Sequence, residues 1–368
     1  RRVLFRSLNH PASPGILLIA CAVLAVAINN SPLSSAYEAG LHFEVLHLSA
    51  HEWVNDGLMA IFFFTVGLEI KKEALVGDLS TKKKASLPAA GALGGMIVPA
   101  LIYLAFNSGK EGAGGWGIPM ATDIAFSLGV LSLVGKKVHS SLRIFLQALA
   151  VVDDLGAVMV IALFYTQGVS LAALLGAGLV FLVLILLHFF GIKKFAAYLP
   201  FGLLLWGLTF ASGVHPTVAG VAFALCLPAE LLVPLEHRLR PWMSFGVMPL
   251  FALANAGLRF AGTGSMEWMH PVSLGVFLGL FLGKQLGIFL ASWISVRLGW
   301  SELASDSSWS KLSAVSWLGG IGFTMSLFIS TLAFRDEALL AQAKLGILSG
   351  SIASGFVAFL FLRKAFRS

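Results

Sequence analysis

The sequence predicts an all-α polytopic membrane protein with 12 transmembrane helices. Composition is the first reason: of 368 residues, 58% are hydrophobic and 12% charged, against roughly 25% charged in soluble domains, and the mean hydropathy is +0.88. The second reason is the length of the apolar runs, since a helix crosses a bilayer with about 20 apolar residues. The third is the placement of Lys and Arg at alternate ends of those runs.

Twelve apolar segments follow in order. Segment 15–29 comes after Arg1, Arg2 and Arg6. Segment 56–70 runs into Lys71 and Lys72, and segment 87–106 starts after Lys82, Lys83 and Lys84. Segment 119–134 is short for a full span and follows Gly117. Segment 142–164 begins beside Lys136, Lys137 and Arg143. Segments 171–190 and 195–211 are separated by Lys193 and Lys194. Segment 217–227 is also short, and 242–257 follows Arg238 and Arg240. Segment 272–296 ends at Arg297, 312–332 follows Lys311, and 340–362 ends at Arg363, Lys364 and Arg367. With the N-terminus inside, 20 of the 25 Lys and Arg fall on the inner side, 4 outside, and Lys284 within a span. The basic balance of +7 is thus a topology signal and not a nucleic-acid patch.

The whole chain, 1–368, reads as one transmembrane domain. Its outer loop, 30–55, contains a partly alternating stretch at 42–48, which forms either a short hairpin or irregular loop. Cys21 and Cys226 lie in apolar runs and read as buried side chains without a disulfide. Asp56 reads as a helix cap at the outer end of its span, and His215 as a loop histidine.

The chemistry concentrates in four residues within apolar segments: Asp123, Asp153, Asp154 and Lys284. Ionisable groups at that depth are costly and mark ion or proton paths. Successive helix residues point about 100° apart, so Asp153 and Asp154 cannot both face one spot squarely. Hard alkali cations want oxygen ligands, and Asp154, Asp153, Thr122 and the backbone at 121–123 supply a candidate set. A carboxylate pair that holds either a proton or a cation is an exchange device. Lys284 needs a partner at that depth, and either Asp153 or Asp154 serves. Asp123, within an interrupted helix, reads as balancing the positive N-terminal ends of half-helices. Segments around Thr122 and Thr324 each follow Gly or Pro, so both read as interrupted helices in two related halves, a pattern that points to a substrate site between them. Charged residues also gather at the inner rim: Glu69, Lys71, Lys72 and Glu73, then Glu236, His237, Arg238 and Arg240.

Six motifs, in order along nearly the whole chain, carry a resemblance. They are Val66-Gly67-Leu68-Glu69-Ile70-Lys71-Lys72-Glu73, Ala121-Thr122-Asp123-Ile124-Ala125-Phe126, Val152-Asp153-Asp154-Leu155-Gly156-Ala157, Ser212-Gly213-Val214-His215, Ala254-Asn255-Ala256-Gly257 and Gly320-Ile321-Gly322-Phe323-Thr324-Met325-Ser326. The chain resembles the NhaA-type sodium/proton antiporters. The resemblance implies inverted-topology repeats at about 87–165 and 272–362, with spans 4 and 11 interrupted and crossing. It implies electrogenic exchange of Na+ or Li+ for protons across the bacterial inner membrane, switched on at alkaline pH, with both termini cytoplasmic. It assigns Asp154 and Asp153 to the transported cation and Lys284 to pairing with Asp153; Thr122 and Asp123 become the crossing-helix residues. It assigns pH sensing to Glu69, Lys72, Glu73, Glu236 and His237. Arg240 stands where a relative can carry histidine, which would shift the activation pH. The outer loop is shorter than the family's dimer-forming hairpin, so a homodimer is left open.

No cofactor is called for, and the chain reads as a transporter and not an enzyme. An intramembrane aspartyl enzyme using Asp123 with Asp154 is disfavoured by the neighbouring Asp153 and Lys284. The alternative kept open is a sodium-coupled organic-anion symporter on a similar scaffold.

Overall fold

A computed structural model describes residues 13–77, 79–135, 138–166, 168–259, 268–304 and 306–366. Arg1, Arg2, Arg6, Lys136, Lys137 and Arg367 of the charge tally lie outside these residues. The described chain is mostly helix, and each of the twelve apolar segments coincides with helical structure. Six helices are long and apolar enough to cross a membrane: Ala50–Leu75, Lys83–Asn107, Ser140–Phe164, Leu171–Phe189, Pro271–Arg297 and Glu337–Ala365. Three bent helix pairs pass the same test together. Glu111–Met120 with Ile124–Val134 bends by 45°, and Trp309–Gly319 with Phe323–Ala333 by 44°. Ser13–Asn29 with Ser34–Leu41 turns by 116°. Phe195–Ala211 and Thr217–Cys226 are shorter apolar helices.

The chain forms two compact units: Arg1–Ser34, Thr81–Ala157 and Asn255–Ser368 in the first, Ser35–Ser80 and Val158–Ala254 in the second. In the first unit, Lys82–Asn107 lies against the Pro271–Arg297 span along a glycine contact. A Cβ on Gly94 would stand 2.2 Å from the Gly287 carbonyl oxygen, and one on Gly287 would stand 2.1 Å from that of Gly94. Small residues that let backbones touch are how helices associate in lipid, where no hydrophobic force draws them together. Gly287→Ala must therefore push two backbones apart, because no flexible side chain is there to yield. The expected cost is about 3 kcal/mol, read as a lower melting temperature in detergent.

In the second unit, Met59–Leu75 packs on Thr217–Cys226 just as closely, with a Gly220 Cβ 2.3 Å from Ala60 O. Phe64, Phe223, Tyr198 and Leu205 fill the core beside them. Residues 30–55 contain a hairpin: Glu44–Val45 pairs antiparallel with Leu48–Ser49. Its two turn residues, Leu46 and His47, have φ of 52° and 65°, the signature of a tight two-residue turn. Ser49 then caps the next helix by accepting from Glu52 N, in a reciprocal capping box.

Two expectations are corrected. Asp56 is not a cap. It lies inside a π-helical turn, Trp53–Leu58, and its Oδ1 is 3.1 Å from His215 Nε2. A continuous helix from Ala50 leaves no free N–H at that point for a cap to accept. Cys21 is half-buried, while Cys226 is buried. Further π-helical turns span Met243–Val247 and Gly279–Lys284. Such turns insert a residue into the helix and often mark functional positions.

Candidate functional site

The first unit brings both interruptions together. Residues 121–123 between Met120 and Ile124 are non-helical, and so are 321–322 before Phe323. Their freed backbone groups find partners across the crossing. Asp123 N donates to Ile321 O at 2.7 Å. Ser127 Oγ donates to Leu318 O at 2.9 Å, and Ser326 Oγ to Ile118 O at 2.7 Å. These two serines form a reciprocal pair: each opens one C-terminal half-helix and satisfies a carbonyl ending the other N-terminal half.

Asp123 serves two helix starts at once. Its Oδ1 accepts from Phe126 N at 3.0 Å, as N-cap of Ile124–Val134. Its Oδ2 accepts from Thr324 N at 3.2 Å and Thr324 Oγ1 at 2.5 Å, at the start of Phe323–Ala333. A carboxylate there faces the positive ends of two half-helices.

One helix away, Ser140–Phe164 carries the acid pair. Thr122, Asp123 and Asp153 are each 1% exposed, Asp154 5% and Lys284 0%. Lys284 Nζ donates to Asp153 Oδ2. It comes from the last residue of the Gly279–Lys284 π turn. Asp154 also lies within electrostatic reach of Lys284. Thr122 Oγ1 is 2.6 Å from the same Asp153 oxygen and 2.9 Å from Gly319 O. The second Asp153 oxygen is buried without a hydrogen-bond partner among the described residues. Gly156, one turn on, gives room to Met96, whose Sδ would be 2.2 Å from a Cβ there. The result is a buried cluster of oxygens with one ammonium. An alkali cation needs such oxygens, and a proton binds the same carboxylates.

The comparisons now bear on this geometry. The sequence pattern of the family described as "Na+/H+ antiporter 1" matches residues 6–362. The chain belongs to this Na+/H+ antiporter family. It is 52% identical over 362 residues to the Na(+)/H(+) antiporter NhaA of Caulobacter vibrioides, covering 95% of this chain and 88% of that protein. It is 49% identical over 360 residues to Na(+)/H(+) antiporter NhaA 2 of Pseudomonas syringae pv. syringae, covering 95% and 92%. It is 45% identical over 368 residues to the Na(+)/H(+) antiporter NhaA of Pelagibacter ubique, covering 95% and 94%. Membership in a family of antiporters places the chain among transporters.

This antiporter family member holds a second charged group in its other unit. Lys72 Nζ is 2.9 Å from Glu236 Oε2 and 3.5 Å from Glu73 Oε1. Arg240 Nη2 is 2.5 Å from Glu236 Oε1. Glu69 is half-buried one turn back from Lys72 on the same helix. His237 is exposed and makes no hydrogen bond or ion pair among the described residues. Burial pushes the Glu236 carboxyl up, but the hydrogen bond and charge of Lys72, with Arg240, overcome this and hold it below its ordinary value of 4.5. A group whose pKa is lowered on folding stabilises fully above its unfolded pKa and loses that as pH falls through the folded value. The wild-type melting temperature should therefore drop more steeply than that of Glu236→Gln as the pH falls below the ordinary carboxyl value of 4.5.

Sequence reasoning named Lys71 and Arg240 only as charges of the inner rim, and did not single out Ser127 or Ser326. Lys71 Nζ donates to Leu225 O at 2.7 Å and Leu227 O at 2.6 Å, capping the end of Thr217–Cys226. Ser127 and Ser326 carried no mark beyond a hydroxyl in an apolar run. Arg240 was visible as the i+4 neighbour of Glu236. The second unit also has a half-open apolar pocket of about 730 Å³ with Arg238 among its lining residues.

Proposed function

We propose that this chain is a secondary transporter that exchanges Na+ or Li+ for protons across the bacterial inner membrane. The observation that carries this reading is the buried cluster of Thr122, Asp153 and Lys284 with Asp154 beside it. Family membership supports exchange of Na+ for H+, and gives no support to the organic-anion symporter.

Asp153 and Asp154 carry protons in one state and the cation in the other. In the empty state Lys284 neutralises Asp153. A cation entering between the carboxylates competes with that ammonium and with any bound protons. It leaves on the opposite face when protons return. Where two protons enter for each monovalent cation, one net charge moves inward per cycle. The membrane potential then drives cation export with about 2.3 kcal/mol per 100 mV. Asp123 fixes the electrostatics of the crossing by facing two helix starts.

We read the whole chain as one transmembrane domain of twelve spans, with inverted repeats at about 87–165 and 272–362. The two bent pairs 111–134 and 309–333 are then the interrupted spans 4 and 11. The bias of Lys and Arg supports cytoplasmic termini. The network of Glu69, Lys72, Glu73, Glu236 and Arg240, with exposed His237 nearby in sequence, is the proposed pH-responsive region. A homodimer is left open, because the hairpin at Glu44–Val45 and Leu48–Ser49 is short for a dimer contact.

Proton flux in everted vesicles tests the reading. Added Na+ and Li+ should each discharge a proton gradient across an alkaline pH range, while K+ should not. Flux that is indifferent to Na+ and Li+ would overturn it.

A further inference from the structure

Thr122 sits in the non-helical gap between the two halves of the first bent pair. Its hydroxyl oxygen has two acceptors at hand, Asp153 Oδ2 at 2.6 Å and Gly319 O at 2.9 Å. A hydroxyl carries one hydrogen and two lone pairs. It can serve one acceptor fully at a time. With Asp153 charged, the carboxylate has the stronger claim, since such bonds are roughly twice as strong as neutral ones.

Gly319 is the last residue of Trp309–Gly319, where helix carbonyls run out of N–H partners. Nearby carbonyls in this break have dedicated donors from the first break: Ser127 for Leu318 and the Asp123 N–H for Ile321. Gly319 differs, because its donor is shared with the carboxylate.

We infer that Thr122 is a positioning residue that reports cation occupancy to the second broken helix. A cation at Asp153 and Asp154 takes the Thr122 oxygen through a lone pair, and the hydroxyl hydrogen turns from Asp153 to the Gly319 carbonyl. The physical cause is simple. A hydroxyl that ligates a cation must point its hydrogen away from it, and Gly319 O is the other acceptor within its reach. The loaded state thus caps the end of Trp309–Gly319, and the empty state leaves that carbonyl to a weaker, shared bond. No covalent bond changes. This inference rests on the exchange reading above and adds a link from the ion site in one proposed repeat to the break in the other.

The test compares wild type with Thr122→Val, which keeps the shape and loses the hydroxyl, and Thr122→Ser, which keeps it. Full-length protein in liposomes gives turnover at saturating Na+. Thr122→Val should stay about tenfold slow however much Na+ is added, the scale of one hydrogen bond, and Thr122→Ser should recover. Amide hydrogen exchange over 320–323 at fixed pH supplies an independent readout: Na+ should slow it in wild type and in Thr122→Ser but not in Thr122→Val. Full turnover of Thr122→Val at high Na+ would make Thr122 a simple ligand and overturn the relay, as would an unchanged Na+ response of those amides. Wild-type protein that moves no protons with Na+ would remove the exchange reading, and the relay with it. Normal wild type beside fully active Thr122→Val would remove the relay alone.

Discussion

Asp154→Asn is expected to reduce Na+-driven proton movement in everted vesicles to background while the protein still folds. Asparagine has the shape of aspartate and keeps an acceptor oxygen. It loses the charge that binds a desolvated cation and the site that holds a proton. Asp154 is 5% exposed and, beside Asp153, lies within an otherwise apolar stretch of Ser140–Phe164, residues 148–164. Removing a buried charge lifts a desolvation cost of several kcal/mol, so the melting temperature should not fall steeply. Unaltered exchange in a well-folded Asp154→Asn protein would refute the assignment of the cation to this carboxylate.

Lys284→Ala should have the largest effect on stability. Lys284 and Asp153 are both fully enclosed and directly bonded. Alanine leaves the Asp153 carboxylate buried without its ammonium, which costs about 3–5 kcal/mol when one partner of such a pair is removed. The double variant Lys284→Ala with Asp153→Asn removes both charges and should recover much of that loss. Exchange activity reports the same contact differently. Without the ammonium, the cation meets one competitor fewer and the proton becomes the chief rival for Asp153, so the pH profile of exchange should shift. An unchanged melting temperature together with an unchanged pH profile would count against a working ion pair.

The helices were legible in the sequence because bilayer thickness sets a length that apolar runs must meet. Segment 171–190 and the helix Leu171–Phe189 agree to one residue, since the run is apolar up to His188 in the last turn and Gly191 follows with φ of 70°. The non-helical residues 121–123 and 321–322 fall where a different signal stands: Gly117 and Pro119 precede Thr122, and Gly319, Gly320 and Gly322 precede Thr324. The π-helical turn Gly279–Lys284 was not legible. A shift of hydrogen-bond register has no residue signature, yet it sets where Lys284 points. For the same reason, residue chemistry left Lys284 with either aspartate. The rotation between neighbouring helix positions is known, but the face that meets the partner helix is a tertiary fact. Helix-end chemistry at Asp123 could be read locally as charge facing helix dipoles. Its bond to Thr324 joins residues 201 apart and left no local trace. His237 shows the opposite limit: adjacent to Glu236 in sequence, it is exposed, while Arg240, one turn on, makes the contact.

Proton release on Na+ binding tests the central claim most directly. Purified protein in weakly buffered detergent solution at fixed pH would be titrated with NaCl and, as a control for ionic strength, with choline chloride. The account predicts that Na+ expels protons, that the release saturates with Na+ binding, and that Asp154→Asn abolishes it. Na+ that binds with no proton release at any pH would contradict it.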